Sequence, residues 1–385
     1  MVEVQRQLRI DLPPRQSAFL WGPRKTGKST WLHQAFPRSI RYDFLNTDVF
    51  LRLAKQPHLL REELLAASED ALQFPVILDE VQKVPALLDE VHWLIENKGL
   101  RFVLCGSSAR KLKHGQANLL GGRAWRFEMF PLTTREIGEV DLLKALNHGL
   151  LPPHYFAAQA HRSLKAYVED YLTQEIMAEG LVRNLPSFAR FLDAMGYSHG
   201  ELTNFANIAR DCGVDAKTVR GYYEILEDTL LGGFVAPYVG KTGRQSITSA
   251  AKFYLCDVGV AGYLCGRMVK ETRGEAFGRA FEHFILMELR AHRAYTEKDY
   301  EVRFWRTKSG YEVDFILGDG EVAVEVKGTS RVDANDLKAV KAFVAERSPR
   351  KCIVVCNEDR PRQHEHITLL PWREFLKRLW QGDII

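Results

Sequence analysis

Gly22-Pro23-Arg24-Lys25-Thr26-Gly27-Lys28-Ser29-Thr30 stands directly behind the apolar run Ser17-Ala-Phe-Leu-Trp21. The stretch carries the pattern G-x-x-x-x-G-K-[ST] at the end of an expected strand, the Walker A arrangement. A triphosphate packs several negative charges into a small volume, and a loop whose backbone N–H groups point inward cradles them with no side chain in the way. Gly22 and Gly27 permit that curvature, and the whole run from Gly22 to Thr30, with Pro23, Arg24, Lys25 and Thr26 inside it, is expected to hold the nucleotide. Lys28 reaches the β- and γ-phosphates and the Ser29 hydroxyl ligates Mg²⁺ in this reading. Thr30-Trp-Leu-His-Gln-Ala-Phe36 starts a helix whose N-terminal dipole favours the anion, and Pro37 ends it. The sequence thus predicts ATP as ligand with Mg²⁺ as its companion.

Phe74-Pro-Val-Ile-Leu-Asp79-Glu80 reads as an apolar strand ending in two carboxylates. In that Walker B arrangement Asp79 holds Mg²⁺ through water, and Glu80 orients or deprotonates the attacking water. A kinase of small molecules needs no such glutamate, since its nucleophile is the substrate hydroxyl. A third strand, Leu100-Arg-Phe-Val-Leu-Cys105, leads into Gly106-Ser107-Ser108. Ligands of parallel α/β sheets collect at the carboxyl ends of central strands, so Ser107 or Ser108 is a candidate sensor of the γ-phosphate. Leu119-Leu-Gly-Gly-Arg123 follows. Arg123 is either a surface residue or a catalytic arginine finger, acting on its own site or on that of a neighbouring subunit.

At 385 residues the chain exceeds one ordinary core, and two or three domains are expected. Its formal net charge of +4, with acids and bases interspersed, neither demands nor excludes a nucleic-acid partner. The six cysteines, at 105, 212, 256, 265, 352 and 356, form no C-x-x-C pair and lie mostly in apolar stretches, so they read as reduced core thiols. The start, Met-Val-Glu-Val-Gln-Arg-Gln, has no apolar h-region, and no run approaches the length of a membrane span. A cytoplasmic protein with no membrane partner is predicted.

After Phe127-Glu-Met-Phe-Pro-Leu132 the alternation of strand and helix gives way to helical patterns at Leu142–Leu146 and at His161–Met177, with Pro152-Pro153 marking the break. The expected division is an ATPase domain over 1–150, a helical and winged-helix region over 151–265, and a third domain over 266–385. Leu202–Arg210, the turn Asp211–Asp215 and Ala216–Leu226 are similar to a winged helix-turn-helix. Lys217, Thr218 and Arg220 stand at the start of its second helix, where a DNA reader contacts base edges, although many such modules serve only in packing. Asp257 is expected to be a solvated cap on a short helix.

Near the C-terminus, Ala276–Leu289 reads as a helix carrying Glu282, followed by strands at Val302–Arg306, Tyr311–Gly318 and Glu321–Lys327. Asp319-Gly320 is a strong hairpin signal. A two-residue loop there places Asp314 opposite Glu325 and puts Lys327 on the face of Glu325. Such a set suits a metal-dependent phosphodiesterase: Asp314 and Glu325 hold Mg²⁺ or Mn²⁺, Lys327 positions or deprotonates water, and Glu282 completes or tunes the site. Judged on Glu325 and Lys327 alone, a salt-bridged hairpin is the simpler reading. The set resembles the restriction-endonuclease-like family, whose signature is Glu, then Pro-Asp, then Asp/Glu-x-Lys; here Val313 replaces the proline.

Together, the Gly22–Thr30 loop, Ile77-Leu-Asp-Glu-Val-Gln-Lys-Val-Pro85, Gly106-Ser107-Ser108, Leu-Gly-Gly-Arg123 and Phe130-Pro-Leu132 resemble the AAA-type P-loop ATPases of bacteria and archaea. With Tyr-Glu-Val-Asp314 and Val-Glu-Val-Lys327 added, the chain is similar to the group that joins such an ATPase to a winged-helix and nuclease-like region. The resemblance implies an α/β fold with a P-loop parallel sheet followed by that helical region and an α/β restriction-endonuclease-like domain. It also implies ATP hydrolysis and assembly into homo-oligomers or rings in which Arg123 acts across a boundary. Two functions remain open: an ATP-driven machine acting on DNA, and a nucleotide-controlled switch whose nuclease-like domain is an inactive scaffold.

Overall fold

The computed structural model describes residues 4–108, 120–172, 184–239 and 250–385. Leu119 and the stretch 173–177, on which some of the expectations above fall, lie outside them. The chain packs as two compact units, one formed by Gln5–Phe130 with Glu227–Leu231 and the other by the rest from Pro131 onward.

In the first unit β1 (Ser17–Trp21), β2 (Arg41–Asp43), β3 (Val76–Asp79), β4 (Phe102–Gly106) and β5 (Ala124–Glu128) form a sheet of order β2-β3-β4-β1-β5. All its neighbours are parallel. Parallel strands flanked by helices bury both faces, which is why β1 and β4 are continuous buried runs rather than alternating ones. The helix Leu87–Lys98 contributes Leu87, Leu88, Val91, Leu94 and Ile95 to this core, an apolar stripe at helical spacing. Because β4 lies between β1 and β3, with Trp21 beside Gly106 and Asp79 beside Cys105, three loops open at one edge: that after Trp21, that after Asp79 and that after Gly106. The helix of the glycine-rich loop begins at Lys28, two residues earlier than expected. Gly27, at φ 91°, turns the loop directly into it, and the Trp31 N–H already bonds the Gly27 carbonyl at 2.9 Å.

The second unit opens with helices that include Leu142–His148, Ala160–Lys165 and Leu185–Tyr197. Phe205–Cys212, a turn through Gly213 in the left-handed region, and Ala216–Asp228 follow, then β6 (Gly232–Val235) paired antiparallel with β7 (Lys252–Leu255). The first of these helices starts at Phe205, not Leu202, because the Asn204 side chain accepts from the N–H groups of Ala206 and Asn207. The cysteines described are all free, five of them buried. β8 (Val302–Arg306), β9 (Glu312–Leu317), β10 (Val322–Val326), β11 (Lys351–Cys356), β12 (Arg362–His364) and β13 (Ile367–Pro371) form a mixed sheet of order β12-β13-β11-β10-β9-β8. The long helix Gly274–Thr296 packs Phe281, Phe284 and Leu289 against Phe315, Leu317 and Val324. Lys338–Arg347 packs Val340 and Phe343 against Ile316, Ala323 and Val354. The alternation of β9 and β10 sorts their side chains between the two layers.

One expectation fails on solvation. Asp257 does cap Val258–Leu264, but it is buried, and its carboxylate accepts N–H groups of Leu150 and Leu151 as well as those of Gly259 and Val260. Gly149 and Gly259 approach too closely here for any side chain, so the acid joins two segments instead of facing water.

Candidate functional site

The glycine-rich loop closes on itself through backbone and short side chains. The buried Thr26 hydroxyl donates to the Pro23 carbonyl at 2.8 Å, and the Lys28 ammonium donates to the carbonyls of Gly22 and Pro23 at 2.7 and 3.0 Å. Arg6 holds the loop from behind, donating to the carbonyls of Thr26 and Phe130. Ser29 and Thr30 stand exposed on the first helical turn, and Lys25 is exposed at the loop's tip. Gly22 lies against the Met129 carbonyl, leaving no room for a Cβ.

Across the sheet edge, Glu80 occupies the left-handed region at φ 60°, ψ 43°, a conformation that costs a glutamate about 1 kcal/mol or more. It is buried, and its Oε2 accepts from Gln82 Nε2 at 2.5 Å and from the Ser107 hydroxyl at 3.2 Å. Ser107 also accepts from Arg24 Nε at 3.3 Å. A chain of hydrogen bonds therefore runs from the loop to the acid: Arg24 to Ser107 to Glu80. Ser108, also buried, lies one residue further along. Asp79 ends β3 with Oδ1 buried and without a hydrogen-bond partner. An orphaned, hard anionic oxygen beside the loop suits Mg²⁺, with Ser29 as the second protein group able to hold it. The neighbouring Cys105 thiol is pushed up by burial and then by Asp79, so it stays protonated.

Arg123 is elsewhere. Its carbonyl accepts from the Ser17 N–H at the amino end of β1, and its guanidinium pairs with Glu96. The loop lies at the other end of β1, about 13 Å away at the usual rise of a strand. Its own nucleotide site is therefore beyond the reach of Arg123, which removes the action within one subunit that the sequence left open.

The second constellation assembles from five elements: β7, the helix Gly274–Thr296, β8, β9 and β10. β10 pairs with β9 in the expected register, Val322 with Leu317 through Val324 with Phe315. Asp314 and Glu325 continue it, but their side chains take over from the ladder: the Asp314 N–H donates to Glu325 Oε2 at 3.3 Å, and the Val326 N–H to Asp314 Oδ2 at 2.8 Å. Lys327 Nζ meets Glu325 Oε1 at 2.6 Å. Glu282 does not join Asp314 and Glu325 directly. It accepts from the Tyr254 hydroxyl and faces Lys252 Nζ at 3.7 Å, and Lys252 is itself paired with Glu312, which Arg306 also holds at 2.9 Å. Burial and then the Glu325 and Glu282 carboxylates push Asp314 well above the usual carboxylate range, against the pull of Lys252 and Lys327. Burial likewise raises Glu325, opposed by Lys327. For Lys252, burial works against the charge, and the Glu282 and Glu312 carboxylates override it, so its pKa rises. The donors of Asp314 and Glu325 are of the hard type that Mg²⁺ or Mn²⁺ takes. Among the described residues, however, no three His, Cys, Asp or Glu side chains are grouped so as to hold a metal ion. With Lys252 where it stands, this cluster does not fit one.

Sequence reading missed Gln82, Lys252, Tyr254 and Glu312. Gln82 lies in the quoted Asp-Glu-Val-Gln run, two residues beyond Glu80, and was legible as its neighbour. Lys252 and Tyr254, in β7, are distant in sequence from the rest, and only the fold brings them in. At the helix-turn-helix, Thr218 is spent on Asp215 (3.0 Å from its hydroxyl) and Arg220 lies over the Phe205 ring, whereas Lys217 is exposed.

Residues 14–138 match the AAA domain, and together with the five-stranded parallel sheet and its loop the match supports an AAA-type ATPase in this part of the chain. Residues 140–271 and 277–375 match two domains of unknown function, DUF8612 and DUF4143. An uncharacterised protein of Mycobacterium tuberculosis is 28% identical over 337 residues, covering 84% of this chain and 73% of its own length. One from Methanocaldococcus jannaschii is 22% identical over 357 residues, covering 84% and 77%. Among solved structures, the Orc1 protein of Aeropyrum pernix in complex with DNA is similar over 65% of this chain and 86% of that one, at 14% identity and a TM-score of 0.29. So low a score bears on neither fold nor ligand. Among the described residues no helix is long and apolar enough to cross a membrane.

Proposed function

We propose that this protein binds ATP with Mg²⁺ at Gly22–Thr30, Ser29 and Asp79, hydrolyses it with Glu80 as the base, and uses the cycle to act on DNA in the cytoplasm. The observation that carries the hydrolysis is the hydrogen-bonded chain from Arg24 through Ser107 to Glu80. It ties the phosphate-binding loop to the acid that would activate water, and it gives Ser107 the sensor's role. Lys28 neutralises the phosphates. Arg123, at the far end of the sheet, serves a neighbouring copy in a homo-oligomer or ring, since its own loop is out of reach.

DNA enters through the helix Ala216–Asp228 and the β6–β7 pair, read as a winged helix, with Lys217 and Arg220 exposed toward a phosphate backbone. The helix Gly274–Thr296 and the mixed sheet support a restriction-endonuclease-like reading of the last domain, with Asp314, Glu325, Lys327 and Glu282 as its charged set. A second reading, the nucleotide-controlled switch with that domain as scaffold, is favoured by one observation: Lys252 sits inside the acid cluster. Phosphate release measured with and without DNA separates the two. The DNA-acting reading expects stimulation that weakens as salt rises, and turnover blind to DNA contradicts it.

A further inference from the structure

The acid cluster of the C-terminal domain holds Glu282, Glu312, Asp314 and Glu325 against Lys252, Arg306 and Lys327. Arg306 serves Glu312 and Lys327 serves Glu325. Among the described residues Lys252 is the cation paired with Glu282, and it bonds Glu312 as well. It comes from outside the helix and strands that carry the acids: β7 brings it in, paired with Val235 of β6. Its side chain is only 4% exposed, and its ammonium lies 5.4 Å from the Phe304 ring. A surface lysine swings into water at little cost, but this one is fixed by strand pairing and by burial.

We propose that Lys252 is an internal counter-cation that keeps a divalent metal ion out of the Glu282, Asp314 and Glu325 cluster until the lysine is displaced. The inference rests on the nuclease-like reading of that cluster. An ion entering beside the ammonium meets a like charge and finds Glu282 already engaged. Withdrawing Lys252 frees Glu282 and removes the repulsion at once. The lysine belongs to the same antiparallel pair that follows the helix-turn-helix, so a ligand that moves that pair would open the cluster.

Titration of the full-length, nucleotide-free chain with Mn²⁺, read by the loss of the free-ion paramagnetic resonance signal, tests this. The set is the unaltered protein, Lys252→Gln, Glu312→Gln, and Lys252→Gln with Glu312→Gln, each with and without Asp314→Asn. The double change removes one charge of each sign, so it keeps the cluster balanced and carries the test should Lys252→Gln alone fail to fold. Asp314-dependent Mn²⁺ affinity is expected to rise at least about tenfold in both Lys252 variants and not in Glu312→Gln. Equal Asp314-dependent affinity in all four overturns the lysine's role and leaves the metal-site reading standing. No Asp314-dependent binding in any of them overturns both.

Discussion

The nucleotide loop and the C-terminal acid cluster are both gatherings of charge at the ends of strands, yet they settle that charge differently. At the loop, Asp79 Oδ1 is buried without a partner and the Lys28 ammonium rests on two carbonyl oxygens, so both keep an unanswered charge for a ligand. At the cluster, Lys252, Arg306 and Lys327 pair with Glu282, Glu312 and Glu325 from within. A buried polar atom left without a partner is costly, and its persistence points to an absent ligand; a closed set of ion pairs points to structure or to restraint. The same carboxylate chemistry thus has opposite meanings in the two places.

The largest expected effect comes from removing the Glu80 carboxylate. Glu80→Gln should bind ATP normally while hydrolysis falls by about 10²–10⁴-fold, the usual worth of a positioned base. Retained turnover in a phosphate-release assay would show that Glu80 has been misassigned. At the other cluster, Lys252→Met leaves Glu282 without its cation, and unfolding by denaturant should show a loss of about 3 kcal/mol or more. A loss below about 1 kcal/mol would mean that the cluster is not closed by this lysine. Lys28→Ala should weaken ATP binding by about tenfold to a hundredfold in a fluorescent-nucleotide titration, with the melting temperature little changed.

His199 and His283 are buried and lie tilted against each other, clamping the two backbone groups of Leu255: His199 Nε2 accepts its N–H at 3.1 Å and His283 Nε2 donates to its carbonyl at 2.8 Å. The accepting His199 ring is neutral, and burial depresses both pKa values, that of His283 to about 3, so both rings are uncharged near neutral pH. Above the unfolded value of about 6.5 neither state binds the proton and these rings add no pH dependence. As pH falls from there toward 3, the unfolded chain takes protons that the folded one refuses, so stability drops. His283→Gln should flatten that limb in denaturant midpoints measured across the range. The smallest effect is expected at Arg123→Ala: its pair with the exposed Glu96 leaves the melting temperature unchanged, and any fall in ATP turnover should appear only at concentrations where the chain self-associates.

Much of the first site was readable because its parts are contiguous. Gly22–Thr30 and Asp79-Glu80 follow apolar runs, and the parallel sheet brings their ends to one edge by rule. What escaped there was geometry, namely that Arg123 stands at the amino end of β5 and that Gln82 folds back onto Glu80. The hairpin at Asp319-Gly320 likewise fixed the pairing of Asp314 with Glu325, since a two-residue loop leaves one register. Lys252 could not be read in the same way. It lies 30 residues from Glu282 and 60 from Glu312 in a strand of unremarked composition, and only tertiary packing makes it their partner. Asp257 shows the same limit: helix-capping chemistry predicted its bonds to Gly259 and Val260, while its burial came from the segment Leu150–Leu151 packed over it.

Phosphate release from ATP and Mg²⁺ by the unaltered chain and by Glu80→Gln, with nucleotide binding measured on both, tests whether the loop and Glu80 form one hydrolytic site. Turnover by the first alone, with binding equal in the two, is the predicted result. No turnover by either under any DNA condition, or equal turnover by both, would contradict it.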